Sequence, residues 1–219
     1  MTDPIPTVHA LGESAITLSW GSTVSLELNA RVHRAAARIL AADLPAIVDV
    51  VPAYAALTVF YDPLHTDFPE MADRLHQLAV AATEPGAPAS APIEHDIPVV
   101  YDGPDLEEVA RQTGLKVSEV VHRHTAREYR VYLLGFVPGF AYLGELDPAL
   151  VVPRHGSPRK RIPAGSVAIA GSQTAIYPLD TPGGWHLIGR TSVSVFDPAR
   201  DPAALLRPGD LVRFVAEAP

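Results

Sequence analysis

Residues 157–191 read SPRKRIPAGSVAIAGSQTAIYPLDTPGGWHLIGRT. Within this stretch, SVAIA and QTAIY are short apolar runs joined by Gly171 and Ser172. A two-residue loop that begins with glycine is typical of a type II′ β-hairpin, because glycine adopts a positive φ without steric cost. The run WHLIGRTSVSVF (185–196) is predicted to form a further strand. The stretch therefore indicates a sheet of short strands connected by tight turns.

The same pattern continues on both sides of this stretch. IPVVYDG (97–103) and DLVRFV (210–215) have the character of strands. The tetrapeptide RPGD (207–210) predicts a type II turn, with proline at its second position and glycine at its third. Many short strands separated by turn residues favour a closed barrel over a parallel sheet.

Two short helices are predicted between these strands. The first runs from Asp105 to about Gln112, with Asp105 and Glu108 at the spacing of a capping box. The second runs from Ser118 to about Arg127 and has an apolar face that includes His124.

A proline- and alanine-rich segment, TEPGAPASAP (83–92), predicts a linker. We therefore expect an N-terminal domain over residues 1–84, a linker over 85–93 and a second domain over 94–219. The first domain has the order β-α-β-β-α, with Asn29 as a candidate cap for its first helix. That order matches a ferredoxin-like split unit without its last strand. The predicted fold class is an α+β domain followed by a mostly-β barrel.

Composition excludes several classes of function. The net charge of −8 disfavours binding to nucleic acid or to anionic membranes. The absence of cysteine excludes disulfides and thiolate metal sites. No apolar run approaches the ~20 residues of a membrane span, and no signal peptide is recognisable, so a cytoplasmic location is expected. P-loop, nucleophile-elbow and H-E-x-x-H motifs are also absent.

Two segments carry the candidate chemistry. Four cations lie within RHGSPRKR (154–161), where arginine forks can bind a carboxylate or phosphate. The alternative is a solvated loop. GFVPGFAYLG (135–144) places three aromatic residues beside glycines, which suits either a small-molecule pocket or a barrel corner.

Single residues are less informative. His124 is interpreted either as a core residue or as a donor beside a pocket, and Gln173 could recognise an amide. His122 and His124 point in roughly opposite directions on a helix, so no metal site is predicted from this chain.

The chain resembles the allophanate hydrolase subunit 1 family, which includes the B-type component of 5-oxoprolinase and the kinase inhibitor KipI. The motifs that carry the resemblance are HTAREYRVYLLGFVPGFAYLG (124–144) and residues 153–191, supported by GESAITLSW (12–20) and DVVPAYAALTVFYDP (49–63). The resemblance implies that the second domain is a cyclophilin-like barrel with an open ligand groove. The groove residues it implies are His124, Phe136, Pro138, Phe140, Tyr142, Arg159, Ser166, Gln173, Trp185 and Arg190. Ala175 stands where glycine is common in the family, and its methyl group is expected to narrow or stiffen the groove.

The resemblance also implies a function. The chain would be one component, inactive alone, of an ATP-dependent 5-oxoprolinase that opens 5-oxo-L-proline to L-glutamate. ATP would be held at the level of the complex, with a C-type component (allophanate hydrolase subunit 2-like) and an A-type component as protein partners. The alternatives are a KipI-like inhibitor of a sensor histidine kinase and an amidohydrolase component of allophanate or urea metabolism. Replacing Arg159 by alanine is expected to weaken anion binding and to leave the thermal midpoint nearly unchanged.

Overall fold

The computed structural model of the chain describes residues 5–82 and 92–218. Its contacts form two compact units, Met1–Ala91 and Pro92–Pro219. Apart from Pro92 and Ile93, the linker predicted at residues 85–93 lies outside the described residues. Within the described ranges, none of the helices is long and apolar enough to cross a bilayer.

The first unit is a four-stranded antiparallel sheet with two helices. Its elements are β1 (Thr7–Ala10), β2 (Ala15–Ser19), α1 (Leu26–Ala41), β3 (Ile47–Pro52), β4 (Ala56–Tyr61) and α2 (Phe68–Ala81). The strand order is β1-β2-β4-β3. The predicted β-α-β-β-α order is present from β2 to α2. The additional strand β1 was not predicted, and it occupies the edge beside β2 that the missing last strand of a ferredoxin-like unit would take.

The start of α1 differs from the prediction. Ser25 is the N-cap, and its hydroxyl accepts a hydrogen bond from the backbone N–H of Leu28 at 3.1 Å. Asn29 lies inside the helix and is fully buried, where its side-chain amide donates to the carbonyl of Ala53 at 2.9 Å. Asn29 therefore anchors the loop between β3 and β4 to the helix, and the expectation that it caps the helix was wrong.

The core of this unit lies between the sheet and its helices. Every second residue of β2 and β4 packs against the apolar faces of α1 and α2. This follows because side chains on one face repeat every two residues in a strand and every 3.6 residues in a helix. The largest contributors include Ile16, Leu18, Leu57, Val59, Val32, Ile39, Met71 and Leu75.

The second unit contains most of the strands. Its elements are β5 (Glu94–Val100), α3 (Leu106–Thr113), α4 (Val117–Thr125), β6 (Glu128–Leu134), β7 (Ala141–Gly144), a 3₁₀ turn (Pro148–Leu150), β8 (Arg159–Ile162), β9 (Ser166–Ala170), β10 (Gln173–Ile176), β11 (Thr181–Gly183), β12 (His186–Arg190) and β13 (Leu211–Glu217). Seven strands close into a barrel in the order β10-β7-β6-β13-β5-β12-β9, and β8 pairs with β11 in a separate ribbon. The prediction of a closed barrel is confirmed.

Both predicted turns are present. Ala170 pairs with Gln173 across a two-residue loop in which Gly171 has a φ of 55°. In the second turn Gly209 has a φ of 94°, and Asp210 N–H donates to the carbonyl of Arg207 at 3.0 Å. The strand predicted over residues 185–196 is shorter than expected, because β12 ends at Arg190.

Two apolar clusters lie on opposite faces of β9. Val167 and Ile169 belong to the large cluster of the second unit, whereas Ala168 and Ala170 belong to a smaller cluster with Phe140, Ile162, Tyr177, Trp185 and Leu187. Ala175 is fully buried in the smaller cluster. Its methyl group therefore packs in the interior of this cluster, and the expectation that it narrows or stiffens the groove stays a prediction.

The barrel is closed by strands from the two ends of the unit. β13 pairs with β5 in parallel, from Leu211 opposite Glu94 to Glu217 opposite Val100, and it pairs with β6 on its other side in antiparallel.

The turn after β5 is attached to β12 by backbone contacts. Gly103 N–H donates to the carbonyl of Ile188 at 3.3 Å, and Asp105 N–H donates to the carbonyl of Leu187 at 3.0 Å. A Cβ atom on Gly103 would lie 2.3 Å from the carbonyl oxygen of Leu187. Glycine is therefore required here because two backbone segments approach each other closely.

Replacing Gly103 by alanine is expected to lower the free energy of unfolding by about 1–3 kcal/mol, since the new methyl group must push β12 away from the turn. Urea denaturation followed by circular dichroism measures the change. Gly156→Ala is the control, because a Cβ on Gly156 meets nothing within 4 Å among the described residues. Equal midpoints for the two variants would contradict the close approach at Gly103.

Candidate functional site

The carboxylate of Asp105 lies at the centre of the site. Asp105 is 5% exposed, and its two oxygens accept hydrogen bonds from Arg159 at 2.6 Å and from the backbone N–H of Leu187 at 2.7 Å. It does not cap α3 with its side chain. Glu108 instead pairs with Arg111. The predicted capping box was therefore wrong, because Asp105 turns toward β8 and β12 and away from the helix.

Two histidines from separate segments join this carboxylate. His155 lies before β8, and its Nε2 atom is 3.4 Å from Oδ2 of Asp105. His186 begins β12, and the centroids of the two imidazole rings are 3.9 Å apart. We call Asp105, His155, Arg159 and His186 the Asp105 cluster.

The hydrogen bond of His186 fixes its tautomer. Its Nε2 atom lies 2.9 Å from the carbonyl oxygen of Pro153. A carbonyl oxygen only accepts, so Nε2 carries the proton and Nδ1 carries a lone pair.

Three buried polar atoms of the Asp105 cluster have no hydrogen-bond partner within residues 5–82 and 92–218. They are Nε2 of His155, Nη1 of Arg159 and Nδ1 of His186. Leaving a buried polar atom unpaired costs about 1–3 kcal/mol. Nε2 of His155 has its long 3.4 Å contact with Asp105, whereas Nη1 of Arg159 and Nδ1 of His186 have no such neighbour among the described residues, so the cluster is a candidate place for another polar group.

The ionisation states of the cluster follow from its contacts. Burial alone would raise the pKa of Asp105, but the hydrogen bonds from Arg159 and Leu187 outweigh burial, and the pKa lies below its usual value. Burial lowers the pKa of His186, although its bond to the Pro153 carbonyl partly opposes that shift. At neutral pH the site therefore combines a carboxylate, a guanidinium and a neutral His186.

An aromatic wall adjoins the Asp105 cluster through the consecutive residues Trp185 and His186. Phe140 is at its centre, and its ring makes edge contacts with Phe136, Tyr142, Tyr177 and Trp185 at centroid distances of 5.4, 4.9, 5.3 and 5.8 Å. We call these five residues the aromatic wall. Phe140, Tyr177 and Trp185 are buried, so only Phe136 and Tyr142 present apolar surface beside the charged groups. Apolar surface next to a few polar groups is the usual composition of a small-molecule site.

Phe136 is the most exposed ring of the aromatic wall. Its side chain is 59% exposed, and its φ of 69° lies in the left-handed region, which is rare for an aromatic residue. Arg154 adds a cation to the wall, with its guanidinium carbon 5.7 Å from the centroid of the Trp185 ring.

The basic segment 154–161 is partly neutralised in the structure. Arg159 is paired with Asp105, and the exposed Arg161 is paired with Asp180 at 2.8 Å. Arg154 lies over Trp185, and Lys160 is exposed. The sequence allowed either an anion-binding segment or a solvated loop. Arg154 and Arg159 lie beside the aromatic wall, as the first requires, whereas Arg161 is in a solvated ion pair, as the second requires.

Five of the residues predicted for the groove are brought together. Phe136, Phe140, Tyr142 and Trp185 lie in the aromatic wall, and Arg159 lies in the Asp105 cluster. Pro138 is exposed in the turn that follows Phe136.

The other predicted groove residues have separate contacts. Ser166 is 7% exposed, and its hydroxyl donates to the carbonyl of Pro163 at 2.7 Å. Gln173 is half-buried at the start of β10. Arg190 is exposed and paired with Asp102 at 2.8 Å. The contacts of Ser166 and Arg190 described here lie outside the Asp105 cluster.

His124 is also placed differently from the prediction. It is fully buried, and its Nε2 and Nδ1 atoms lie 2.9 Å from the hydroxyl of Thr174 and 2.6 Å from that of Tyr101. Thr174 donates to the carbonyl of Ala168, so it accepts from His124, and Tyr101 donates to Nδ1. Phe214 stacks on the ring at 4.6 Å. An interior network thus replaces the predicted contact of His124 with a groove ligand.

The buried His124 predicts a pH dependence of stability. Burial lowers the pKa of His124 to about 3, whereas the unfolded histidine titrates near 6.5. Below pH 6.5 the unfolded chain gains a proton that the folded chain does not, so stability falls as pH falls. The free energy of unfolding, measured by urea denaturation between pH 6 and 4, should fall by about 1.4 kcal/mol for each pH unit because of this residue. His124→Gln should remove that contribution, and an unchanged slope in the variant would contradict it.

Three residues of the site were not among the predicted groove residues, namely Asp105, His155 and His186. The sequence contains weak signals for two of them, because His155 lies in the basic segment and His186 follows Trp185. Asp105 was assigned to a helix cap, which is the commoner role of an aspartate before a helix. Asp105, His155 and His186 each offer one ligand atom, and these atoms lie within 4.8 Å of one another.

The chain matches a known domain family over most of its length. The family model is the carboxyltransferase domain, subdomain C and D, and it matches residues 6–206. The B-type component of 5-oxoprolinase from Escherichia coli O157:H7 is 46% identical over 95% of this chain and 95% of its own length. The protein of the same name from Bacillus subtilis (strain 168) is 41% identical over 95% of this chain and 91% of its own length.

Solved structures show the same similarity. The crystal structure of TTHA0988 superposes with a TM-score of 0.83 and 45% identity, over 94% of this chain but only 40% of that longer chain. Urea amidolyase from K. lactis superposes with a TM-score of 0.78 over 99% of this chain and 15% of its own. At 17% identity, the second comparison shows a shared fold alone.

Proposed function

Because the chain belongs to the carboxyltransferase domain family, subdomain C and D, and to the group of B-type 5-oxoprolinase components within it, we propose that it is the B-type component of an ATP-dependent 5-oxoprolinase. Such an enzyme opens 5-oxo-L-proline to L-glutamate. The observation that supports this most strongly is the 46% identity to the Escherichia coli protein of that name across 95% of both chains.

The proposed substrate fits the two parts of the site. 5-Oxo-L-proline has a small five-membered ring and a carboxylate. The ring would pack beside Phe136 and Tyr142, the two rings of the aromatic wall that are not buried. The carboxylate would be bound by Arg154 and by the unpaired Nη1 atom of Arg159, since guanidinium groups bind carboxylates through two parallel hydrogen bonds.

The reaction requires activation of the lactam. Transfer of the γ-phosphoryl group of ATP to the lactam oxygen makes the ring carbon electrophilic. Water would then attack that carbon, a proton from it would pass to the ring nitrogen, and the carbon–nitrogen bond would break to give γ-glutamyl phosphate. A second water would hydrolyse this acyl phosphate to glutamate and phosphate.

The chain is proposed to act within a hetero-oligomer. Its sequence contains no P-loop, so ATP would be held by a partner or by a site formed in the complex. The expected partners are a C-type component, similar to allophanate hydrolase subunit 2, and an A-type component. The chain alone is expected to be inactive. A cyclophilin-like classification of the barrel and a cytoplasmic location remain predictions.

The decisive test is reconstitution. The chain is co-expressed with the C-type and A-type components of the same genome, and glutamate formation from 5-oxo-L-proline is measured with and without ATP. We expect ATP-dependent hydrolysis by the complex and none by the chain alone. A complete complex without ATP-dependent hydrolysis would overturn the proposed function.

The same preparation separates the alternatives. Hydrolysis of allophanate in place of 5-oxo-L-proline would favour a component of urea metabolism. Failure to co-purify with the C-type component, together with tight binding to a sensor histidine kinase, would favour a KipI-like inhibitor.

A further inference from the structure

Three side chains of the Asp105 cluster bring potential metal-ligand atoms close together. Asp105, His155 and His186 each offer one ligand atom within 4.8 Å of the others. Asp105 and His186 are 5% and 2% exposed, and His155 is half-buried. The geometry points to a binding site for a divalent transition-metal ion of the zinc class, held by Oδ2 of Asp105, Nε2 of His155 and Nδ1 of His186.

His186 has the hydrogen bonding of a metal ligand. Its Nε2–H donates to the carbonyl of Pro153 at 2.9 Å, which leaves the lone pair on Nδ1. That Nδ1 atom is buried and has no hydrogen-bond partner in the described portion of the chain. Metal-bound histidines usually donate their other ring N–H to a carbonyl or carboxylate, and this bond orients the ring toward the ion.

The two oxygens of Asp105 have different partners. Oδ1 accepts from Arg159 at 2.6 Å, which disfavours coordination through both oxygens. Oδ2 accepts from the Leu187 N–H at 2.7 Å and faces Nε2 of His155 at 3.4 Å. Because a carboxylate oxygen has two lone pairs, Oδ2 keeps one for an ion. Nε2 of His155, whose long 3.4 Å contact with Oδ2 fails the geometry of a hydrogen bond, supplies the third ligand.

The donor set selects the class of ion. Mg²⁺ and Ca²⁺ prefer oxygen ligands, whereas two imidazole nitrogens and one carboxylate suit zinc and neighbouring transition metals. Three protein ligands leave one tetrahedral position open, as in zinc sites that bind a small ligand. The ion and Arg159 together outweigh the charge of Asp105, so the open position would attract an anionic group.

This inference does not depend on the proposed function, because metal binding is measured on the purified chain without substrate, ATP or partners. The chain is first treated with a chelator and dialysed. It is then titrated with Zn²⁺ by calorimetry and with Co²⁺ by visible absorption. We expect one tightly bound ion per chain, with the intense absorption bands of four-coordinate Co²⁺.

Matched variants connect binding to the named ligands. His186→Gln and Asp105→Asn preserve approximate size and should each weaken Zn²⁺ binding by more than about 100-fold, since loss of an outer partner alone costs 10–100-fold. His65→Ala is the control. It removes an exposed histidine that contacts a carboxylate, Asp62, at 2.9 Å outside the cluster, and it should leave Zn²⁺ binding unchanged.

Several results would overturn the inference. The first is that the wild type binds Zn²⁺ no more tightly than a His155→Gln/His186→Gln double variant. The second is that His65→Ala loses as much Zn²⁺ affinity as the cluster variants. If the cluster variants do not fold, the X-ray absorption spectrum of the zinc-loaded wild type provides the test, and a spectrum without two imidazole ligands would count against the site. None of these results bears on 5-oxo-L-proline hydrolysis by the reconstituted complex, so the failure of the metal site and the failure of the proposed function are distinguishable.

Discussion

Asp105→Ala is expected to lower the free energy of unfolding by about 3–5 kcal/mol, the usual cost of removing one partner from a buried ion pair. Asp105 is 5% exposed and binds both the side chain of Arg159 and the backbone of Leu187. Without the carboxylate, a guanidinium and a backbone N–H lose their partner in the interior. Denaturant unfolding of the purified chain measures the loss, and the reconstituted complex should lose its activity as well.

A carboxylate at the surface provides the control for Asp105. Asp96 pairs with Arg213 at 2.8 Å, but the side chain is 57% exposed. Asp96→Ala should therefore change stability by less than about 1 kcal/mol. Asp105→Asn, which retains an acceptor for the Leu187 N–H, should be less damaging than Asp105→Ala. If Asp105→Ala were no less stable than Asp96→Ala, the carboxylate would not have the buried role described.

Arg159→Ala is expected to reduce kcat/KM of the reconstituted enzyme by about 10–100-fold, because a hydrogen bond to a charged group contributes about 1.5–3 kcal/mol and each 1.4 kcal/mol is tenfold. The guanidinium of Arg159 binds Asp105 through one nitrogen, and its Nη1 atom, buried and without a hydrogen-bond partner among the described residues, is where the proposed substrate anion would bind. Arg159→Lys keeps the charge but not the planar fork, so it should recover only part of the activity.

The same variant should also be less stable, by about 1–3 kcal/mol, since the carboxylate of Asp105 loses its ionic partner. This outcome differs from the expectation based on sequence, in which Arg159 was a surface residue whose replacement shifts the thermal midpoint by no more than a few degrees. Arg213→Ala, in an exposed ion-pair network, is the control for both measurements. If Arg159→Ala matches Arg213→Ala in both kinetics and thermal midpoint, Arg159 is an ordinary solvated cation at the surface.

The fold was largely accessible from the sequence because its signals are local. Gly171-Ser172 and Pro208-Gly209 specify their turns through allowed φ values alone. Apolar residues recur every second position in β2 and β4 and about every 3.6 positions in α2, so these elements could be predicted. Strand β1 was missed because TVHA (7–10) is a short edge segment and is mostly exposed, so it carries little apolar alternation. Asn29 misled the prediction because its side chain satisfies a distant carbonyl, which local spacing does not reveal.

The candidate site was predicted only in part, for a physical reason. The aromatic wall comes mainly from one contiguous motif, so Phe136, Phe140 and Tyr142 could be recognised together. The Asp105 cluster combines residues from the turn after β5, the segment before β8, and the strands β8 and β12, and only tertiary packing joins them. The absence of a metal motif in the sequence likewise says little about ligands that come from three separate segments.

The parallel pairing of β13 with β5 has a consequence for how the barrel forms during synthesis. Residues 94–100 leave the ribosome early, but their partner at 211–217 is the last barrel strand to be translated. Until it emerges, neither β5 nor β6 can complete its hydrogen bonding on that side, and both remain open to wrong pairing with other chains. Such long-range pairing also slows folding. We therefore expect that nascent chains stalled before residue 211 bind chaperones strongly and that release coincides with synthesis of the final strand.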